Sequence, residues 1–279
     1  MKTFLVTGGA GYIGSHTVVK LLEQGYGAVI VDNLCNSKVN AIHQIESITG
    51  RKPVFYEGDV RDRTLLAGIF KAHPIQGVIH FAGLKAVAES QTKPLLYYDN
   101  NVAGSITLLE EALKANIHIV VFSSSATVYG EPESMPLDES SPVVDATNPY
   151  GRTKLMIENI IQDWTKVDSK RNVTILRYFN PVGALESGQI GEEPIGVPNN
   201  LMPYITQVAD GRREHLNIFG NDYETKDGTG VRDYIHVVDL ALAHTCALNQ
   251  NVMNKFEILN IGAGKGTTVL EVLKSFEET

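Results

Sequence analysis

Short apolar runs alternate with stretches of helical period along most of the chain. Thr3 to Val6 predicts a strand, and a helix follows with Val18, Leu21 and Leu22 on one face and Gly25 at its C-terminal cap. Ala28-Val29-Ile30-Val31-Asp32 is the next strand. Pro53 to Tyr56 is a third, then a helix that Asp62 caps, running to about Ala72. Gly77 to Phe81 is a strand, Asn101 to Asn116 an amphipathic helix, and Ile117 to Phe122 a buried strand that leads into Ser123-Ser124-Ser125. Pro149 opens a helix over 149–166, and Val173 to Phe179 is again a strand. Strands joined by helical crossovers predict an α/β fold: a doubly wound parallel sheet of Rossmann type, covered on both faces.

Beyond Asn180 the texture changes. Residues 180–234 are rich in Gly, Pro and Asn, as in Pro198-Asn199-Asn200-Leu201-Met202-Pro203. Asp239 to Asn249 predicts a helix and Phe256 to Asn260 a strand. A last helix opens at Thr268 with Glu271 three residues on, a capping-box pattern, and turns Val269, Val272, Leu273 and Phe276 inward. The expected division is a dinucleotide-binding domain over 1–179 and a smaller, C-terminally shortened substrate lobe over 180–279.

The chemistry sits at predicted strand ends, where open α/β sheets bind ligands. Gly8, Gly11 and Gly14 lie between the first strand and its helix, in Thr7-Gly8-Gly9-Ala10-Gly11-Tyr12-Ile13-Gly14. Such a turn lets a pyrophosphate approach the backbone and the positive helix end. Asp32, 18 residues past Gly14, suits a ribose 2′-hydroxyl and repels a 2′-phosphate, favouring NAD over NADP. A glycine turn of packing value alone is the other reading. Asp59 suits an adenine amino group or a helix cap, and Lys85 a phosphate or solvent. Arg232 suits an anion clamp or a surface ion pair.

Tyr150 and Lys154 stand four apart on one helix face. An ammonium beside a phenol favours the phenolate, so Lys154 is expected to draw Tyr150 below its ordinary value near 10 and make it a general base for an alcohol. Ser125 would hold the same alcohol. By itself that spacing is equally an exposed helix with chance neighbours.

The whole-chain properties narrow the field without deciding it. At 279 residues, 43% hydrophobic and 20% charged, the composition is that of a soluble globular protein. The net charge of -8 without a basic block argues against nucleic acid as a partner. No run approaches the ~20 apolar residues of a membrane span, and a first strand at Thr3 leaves no room for a signal peptide. Cys35 and Cys246 have no pairing pattern, so a reduced, cytoplasmic protein is expected, and the histidine spacing supports no metal site.

These strings, together with Asp32-Asn33-Leu34-Cys35-Asn36-Ser37, His80 to Val87, Ser123 to Gly130 and Arg177-Tyr178-Phe179-Asn180-Pro181, resemble the extended short-chain dehydrogenase/reductase family, and within it the nucleotide-sugar 4-epimerases. The resemblance implies NAD held by Tyr12 and Ile13, by Asp32, Asn33, Leu34, Cys35, Asn36 and Ser37, and by Asp59 and Val60. Phe81, Ala82, Gly83, Leu84, Lys85, Asn100, Ser125, Tyr150, Lys154 and Phe179 complete the implied cofactor contacts. A UDP-sugar would meet Ser125, Tyr150, Asn180, Asn200 and Leu201, then Asn217, Ile218, Phe219 and Arg232.

The implied activity is interconversion of UDP-galactose and UDP-glucose by transient oxidation at sugar C4, with Tyr150 as base and NAD regenerated each cycle. Relatives that dehydrate or decarboxylate the keto sugar resemble enzymes with a carboxylate beside the serine. Here Ala126 and Thr127 have no ionisable group, which favours epimerisation. Family members continue several dozen residues further, where more UDP contacts are expected, so weakened UDP-sugar binding is an expectation for this chain. Another nucleotide-sugar oxidoreductase of the family, or an NAD-bound scaffold or sensor, are the competing readings. The resemblance also implies a homodimer, with the 101–116 and 149–166 helices paired across a two-fold axis.

Overall fold

A computed structural model describes the chain except residues 133, 144–145, 249–255 and 279. Seven parallel strands form the main sheet: β1 (Thr3–Thr7), β2 (Gly27–Asp32), β3 (Val54–Glu57), β4 (Ile75–His80), β5 (Ile119–Ser125), β6 (Asn172–Tyr178) and, near the chain's end, β9 (Phe256–Ile261). Their order across the sheet is β3-β2-β1-β4-β5-β6-β9, with the direction of winding reversing beside β1. β1, β2 and β5 are buried almost throughout, as parallel strands covered on both faces must be.

The helices connecting these strands are α1 (Tyr12–Glu23), α2 (Asn40–Thr49), α3 (Arg63–Ala72), the short α4 (Val87–Thr92) and α5 (Pro94–Tyr97), α6 (Gly104–Lys114) and α7 (Pro149–Lys166). One apolar cluster packs α1 and α2 on the sheet through Val18, Leu21, Ile42 and Ile45. A second packs α3 and α6 on the opposite face of the same strands, Leu66, Ile69 and Leu108 meeting Leu5, Val29 and Val78. A third seats Ile157 and Ile161 of α7 against Val120 and Val173. Asp62 caps α3 by accepting the Leu65 N–H, as its position predicts.

The remainder of the chain holds α8 (Leu201–Ala209), β8 (Val231–His236), α9 (Val237–Cys246), β10 (Gly266–Thr268) and α10 (Val269–Glu277). With β7 (Asn180–Val182) they build a small sheet in the order β10-β8-β7. The capping box at Thr268 and Glu271 is present. The chain past Asn180 does not keep to this small sheet, however. β9 pairs in register with β6 from Val173↔Phe256 to Tyr178↔Ile261, and Ala247 and Leu248, directly after α9, join the cluster around α1. Part of the stretch expected to be a separate lobe therefore forms the main sheet's edge.

Several element boundaries differ from the sequence reading. β5 continues past the apolar run ending at Phe122 and through Ser125, because its backbone pairs with β6 as far as Ser125↔Tyr178. The helix expected from Asn101 is preceded by a wide π-helical turn over Tyr98–Ala103. α9 begins at Val237, and the end expected at Asn249 lies outside the described residues.

The turn from β1 into α1 has no slack. Gly8 adopts a left-handed φ of 72°, and a Cβ on Gly14 would lie 2.2 Å from the Gly8 carbonyl oxygen. Replacing Gly14 by alanine must push α1 off the strand end, because the obstacle is backbone. Gly14→Ala should lower the midpoint of thermal unfolding by about 5 °C, as core overpacking does; a midpoint within about 1 °C of the parent would contradict this packing.

Candidate active site

A single cleft of about 370 Å³ runs along the carboxyl ends of the strands. Its walls bring together the glycine turn, Asp32, the Phe81–Gly83 loop and, at the far end, Tyr150 and Lys154. Fragments more than a hundred positions apart in sequence thus face one space.

At one end α1 begins at Tyr12 with no side-chain cap and no acidic residue in its first turn, so its positive end is left for an anion. Gly8, Gly11, Tyr12, Ile13 and Gly14 line this part of the cleft. The buried Asp32 closes β2 and shapes the next loop. One carboxylate oxygen accepts the Ala10 N–H at 3.0 Å, and the other accepts from the Leu34 N–H at 2.9 Å and the Ser37 hydroxyl at 2.8 Å. Asn33, Cys35, Asn36 and Ser37 line the cleft, whereas Leu34 supplies only backbone.

Asp59 lies beside the cleft between Gly58 and Val60, which line it. Its carboxylate receives the Arg61 guanidinium at 2.7 and 2.8 Å and the Asn33 amide at 3.1 Å. The Arg61 hydrogen bond, outweighing partial burial, holds its pKa down to about 2.

Behind the cleft wall, at the end of β4, lie buried side chains neutral at ordinary pH. His80 bridges Thr7 Oγ1 at 2.7 Å and Ser105 Oγ at 2.8 Å, and burial drops its pKa to about 3. The π-helical turn directs both Asn100 and Asn101 inward. Asn100 lines the cleft, while Asn101 accepts the Leu84 N–H at 2.8 Å and donates to Leu84 O and Thr153 Oγ1 at 3.0 Å. The loop after β4 is thereby tied to α7.

At the far end Asn148 caps α7 by accepting the Gly151 N–H at 2.9 Å, with Pro149 in the first turn. Gly151 carries no Cβ where one would meet Ala146 at 2.8 Å and the Thr127 carbonyl at 3.2 Å. The first turn of α7 therefore presses against the short helix over Ala126–Tyr129, and brings Tyr150 beside Ser125, whose hydroxyl already accepts the Thr127 N–H at 3.3 Å. Lys154 donates to the Ser123 carbonyl at 2.7 Å, with its ammonium 5.9 Å from the centre of the Tyr150 ring.

The expected depression of the Tyr150 pKa is not what the structure holds. Burial, and then the neighbouring Tyr178 and Tyr97, push the phenol above its ordinary value, and only the adjacent Ser125 hydroxyl opposes them. The ammonium is turned toward a carbonyl and is itself pushed down to about 8 by burial. Lys154 still keeps its proton below that pH. Ionising Tyr150 therefore needs more positive charge than this helix face supplies.

Lys85 lines the cleft, but its ammonium pairs with Glu192 at 3.1 Å. Glu192 belongs to a strap, residues 188–194, that lies along the cleft and that sequence reasoning missed. Asn200 donates to Glu192 at 2.6 Å, and Lys38 pairs with Glu193 at 2.5 Å. Tyr12 donates to the Gly183 carbonyl at 2.7 Å, just upstream of the strap. Lys38, Gln44 and Tyr178 are further lining residues absent from the sequence reading. Tyr178, the last residue of β6, faces the cleft in the place expected for Phe179. Only the strap's paired acids, opposite two lysines, carried a signal, and it means nothing until the chain is folded.

The residues expected to meet a nucleotide sugar are more dispersed. Asn180 starts β7 and donates to the Asp233 carbonyl at 3.1 Å, and Asn200 precedes α8 at Leu201. Phe219 is 85% exposed, beside Asn217 and Ile218. Arg232 lies exposed on β8 and donates to the Val231 carbonyl at 2.7 Å. Asp233 accepts the Ala263 and Gly264 N–H groups, so it is not a partner of Arg232 in a surface pair. None of these residues lines the cleft itself.

A dinucleotide fits these residues. Its pyrophosphate would meet the uncapped α1, with no Cβ at Gly8, Gly11 or Gly14 in the way, its ribose Asp32, and its reactive ring the Tyr150 end. Among the described residues no cluster of His, Cys, Asp and Glu could hold a metal ion.

The sequence profile of the NAD dependent epimerase/dehydratase family matches residues 4–262. A UDP-glucose 4-epimerase of Yersinia pestis is 59% identical over 276 residues, 98% of this chain and 81% of that protein. One from Neisseria meningitidis serogroup A is 54% identical over 279 residues, 99% of this chain and 82% of that protein. Among solved structures, UDP-glucose 4-epimerase from Bifidobacterium longum in complex with NAD⁺ and UDP superposes with a TM-score of 0.96 at 49% identity, covering 99% of this chain and 83% of that one. The Stenotrophomonas maltophila enzyme with bound NAD and formylated UDP-arabinopyranose gives 0.95 at 50% identity, covering 100% and 83%.

The Asp59 ion pair makes a pH prediction. A carboxyl whose folded pKa lies below its ordinary 3.8 stabilises the fold fully above that value and loses the contribution as pH falls toward 2. A carbon-detected NMR titration should place the Asp59 midpoint near 2, and Arg61→Ala should return it toward 3.8. A midpoint near 3.8 in the parent protein would contradict the pairing.

Proposed function

The chain belongs to the NAD dependent epimerase/dehydratase family, and from that premise we infer how its own residues divide the work of a UDP-glucose 4-epimerase. It interconverts UDP-galactose and UDP-glucose, with NAD as cofactor and a UDP-sugar as substrate. The observation that carries the assignment of roles is one cleft holding both the glycine turn and the Tyr150–Lys154 pair.

In this reading Tyr150 takes the proton of the sugar 4-hydroxyl, and Ser125, beside it, orients that hydroxyl. NAD, when bound, would supply positive charge beside the phenol and reversible hydride chemistry at the sugar C4. Lys154 holds its charge near the reacting oxygen through its bond to Ser123 O. Tyr150 then gives its proton back to the reformed alcohol, so sugar and base both end each cycle in their starting charge states. Asp32 holds the adenosine ribose, Asp59 the adenine, and the start of α1 the pyrophosphate. Lys85 exchanges Glu192 for a cofactor phosphate. Asn180, Asn200, Leu201, Asn217, Ile218, Phe219 and Arg232 receive the UDP portion. Ala126 and Thr127 offer no acid or base to take the keto sugar elsewhere, which supports epimerisation over dehydration.

The chain works as a homodimer in this reading. Leu95 of α5, Ile106 and Leu113 of α6, and Met156 of α7 are exposed apolar side chains on neighbouring helices, as a self-complementary two-fold interface requires. Among the described residues no helix is long and apolar enough to cross a membrane. The two free, exposed cysteines support a reducing, cytoplasmic setting.

Purified protein should release NAD on acid treatment and convert UDP-galactose to UDP-glucose with no cofactor added. Tyr150→Phe should keep the NAD and lose turnover by about a hundredfold or more. Unchanged turnover in that variant would overturn the assignment of Tyr150.

A further inference from the structure

The face of α7 that reaches the cleft does not stop at Lys154. Tyr150, Lys154 and Glu158 follow at four-residue spacing, and each meets one of three consecutive serines of β5. Tyr150 stands beside Ser125, and Lys154 donates to the Ser123 carbonyl at 2.7 Å. Ser124 donates to the Glu158 carboxylate at 2.5 Å. Glu158 is 3% exposed and does not line the cleft. Arg177 grips it from β6 at 2.6, 3.1 and 3.2 Å, with the guanidinium lying over the Tyr129 ring at 4.8 Å.

We propose that Glu158 is a positioning residue for the oxidation and reduction at C4: aimed by Ser124 and Arg177, its carboxylate keeps Lys154 charged and seated on Ser123, and through Lys154 sets the electrostatic environment of Tyr150. This rests on the roles given above to Tyr150 and Lys154. A fully buried ammonium with one carbonyl partner is costly. Burial pushes Lys154 down to about 8, and the charge that opposes the fall is that of Glu158.

No other anion near Lys154 takes its place. His80 on β4 and His244 on α9 both feel its charge, but burial drops them to about 3 and 4, so they are neutral at working pH. Tyr178 on β6 and Tyr97 on α5 are held neutral by burial. Glu89 on α4 pairs with Lys93, and Asp99 in the π-helical turn with Arg61, both near the surface. Asp239 at the start of α9 is exposed, and Arg177 on β6 is already bound to Glu158.

The test is the pH dependence of kcat, measured on folded, NAD-loaded protein. Glu158→Gln should move the alkaline limb to lower pH by about one unit, because Lys154 then loses its proton sooner, and lower kcat at pH 8 by about fivefold. KM for the UDP-sugar should stay within about twofold. Glu158→Asp, which keeps the charge, should leave the limb where it is. A folded Glu158→Gln protein with an unmoved limb, or the same shift in Glu158→Asp, overturns the proposal. Should Glu158→Gln fail to fold, Ser124→Ala decides: it frees the carboxylate's aim while keeping the ion pair, and should move the limb in the same direction by a smaller amount, with no movement counting against the proposal. Lys154→Met separates the two levels. Its retained activity would sink the role of Lys154 itself, whereas its loss together with an unmoved limb in Glu158→Gln sinks only the role of Glu158.

Discussion

A lysine ammonium held out of water against a single backbone carbonyl is the constraint around which this molecule is arranged. Lys154 is 5% exposed and donates to Ser123 O. Such a charge is tolerated only where every neighbouring group is fixed. The fixing is done by β5 continuing straight through its serines, by α7 lying close on it, and by the glycine at 151 that permits the approach. The same arrangement brings a phenol and a hydroxyl together at the mouth of the sheet. Burial that makes the ammonium expensive also makes the phenol reluctant to ionise.

Much of the sheet was legible because parallel strands buried on both faces are continuous apolar runs, and the glycines and acids at their ends mark the turn of direction. The strand at Thr3, the acid at Asp32 and the Tyr150–Lys154 pair all stand where periodicity put them. What stayed hidden depends on distance through space. The sequence delivers the three serines at the end of a strand, but nothing local says that Glu158 and Lys154 would partner them. The π-helical turn at Tyr98–Ala103 has no sequence signature, because its hydrogen bonds follow from where Asn101 must reach. The Tyr150 pKa was misjudged for the same reason: spacing reveals a neighbouring charge but not the loss of solvent, and here solvent loss is the larger effect.

The later part of the chain shows how a site is shared between layers. β9 returns to the main sheet beside β6, while β7 and β8 leave it, so the strap at 188–194 is anchored at both ends by structure that belongs to the sheet or abuts it. Its acids face lysines from two different cofactor-side loops, Lys38 and Lys85. Exposed pairs of this kind are individually weak. Their placement matters more than their strength, because each occupies a cation that phosphate would otherwise claim.

The wide turn before α6 has a consequence for how this scaffold tolerates length changes. A π-helical turn holds one residue more than an α-helical one, so the two Asn side chains beyond it sit out of step with the helix that follows. Removing a single residue there would restore ordinary pitch and swing Asn100 and Asn101 by about 100° around the axis. Both would leave the interior, and the backbone of Leu84 would lose its two amide contacts while every apolar position of α6 kept its place. The helix would look intact by any measure of its own content, yet the loop it supports would come untied.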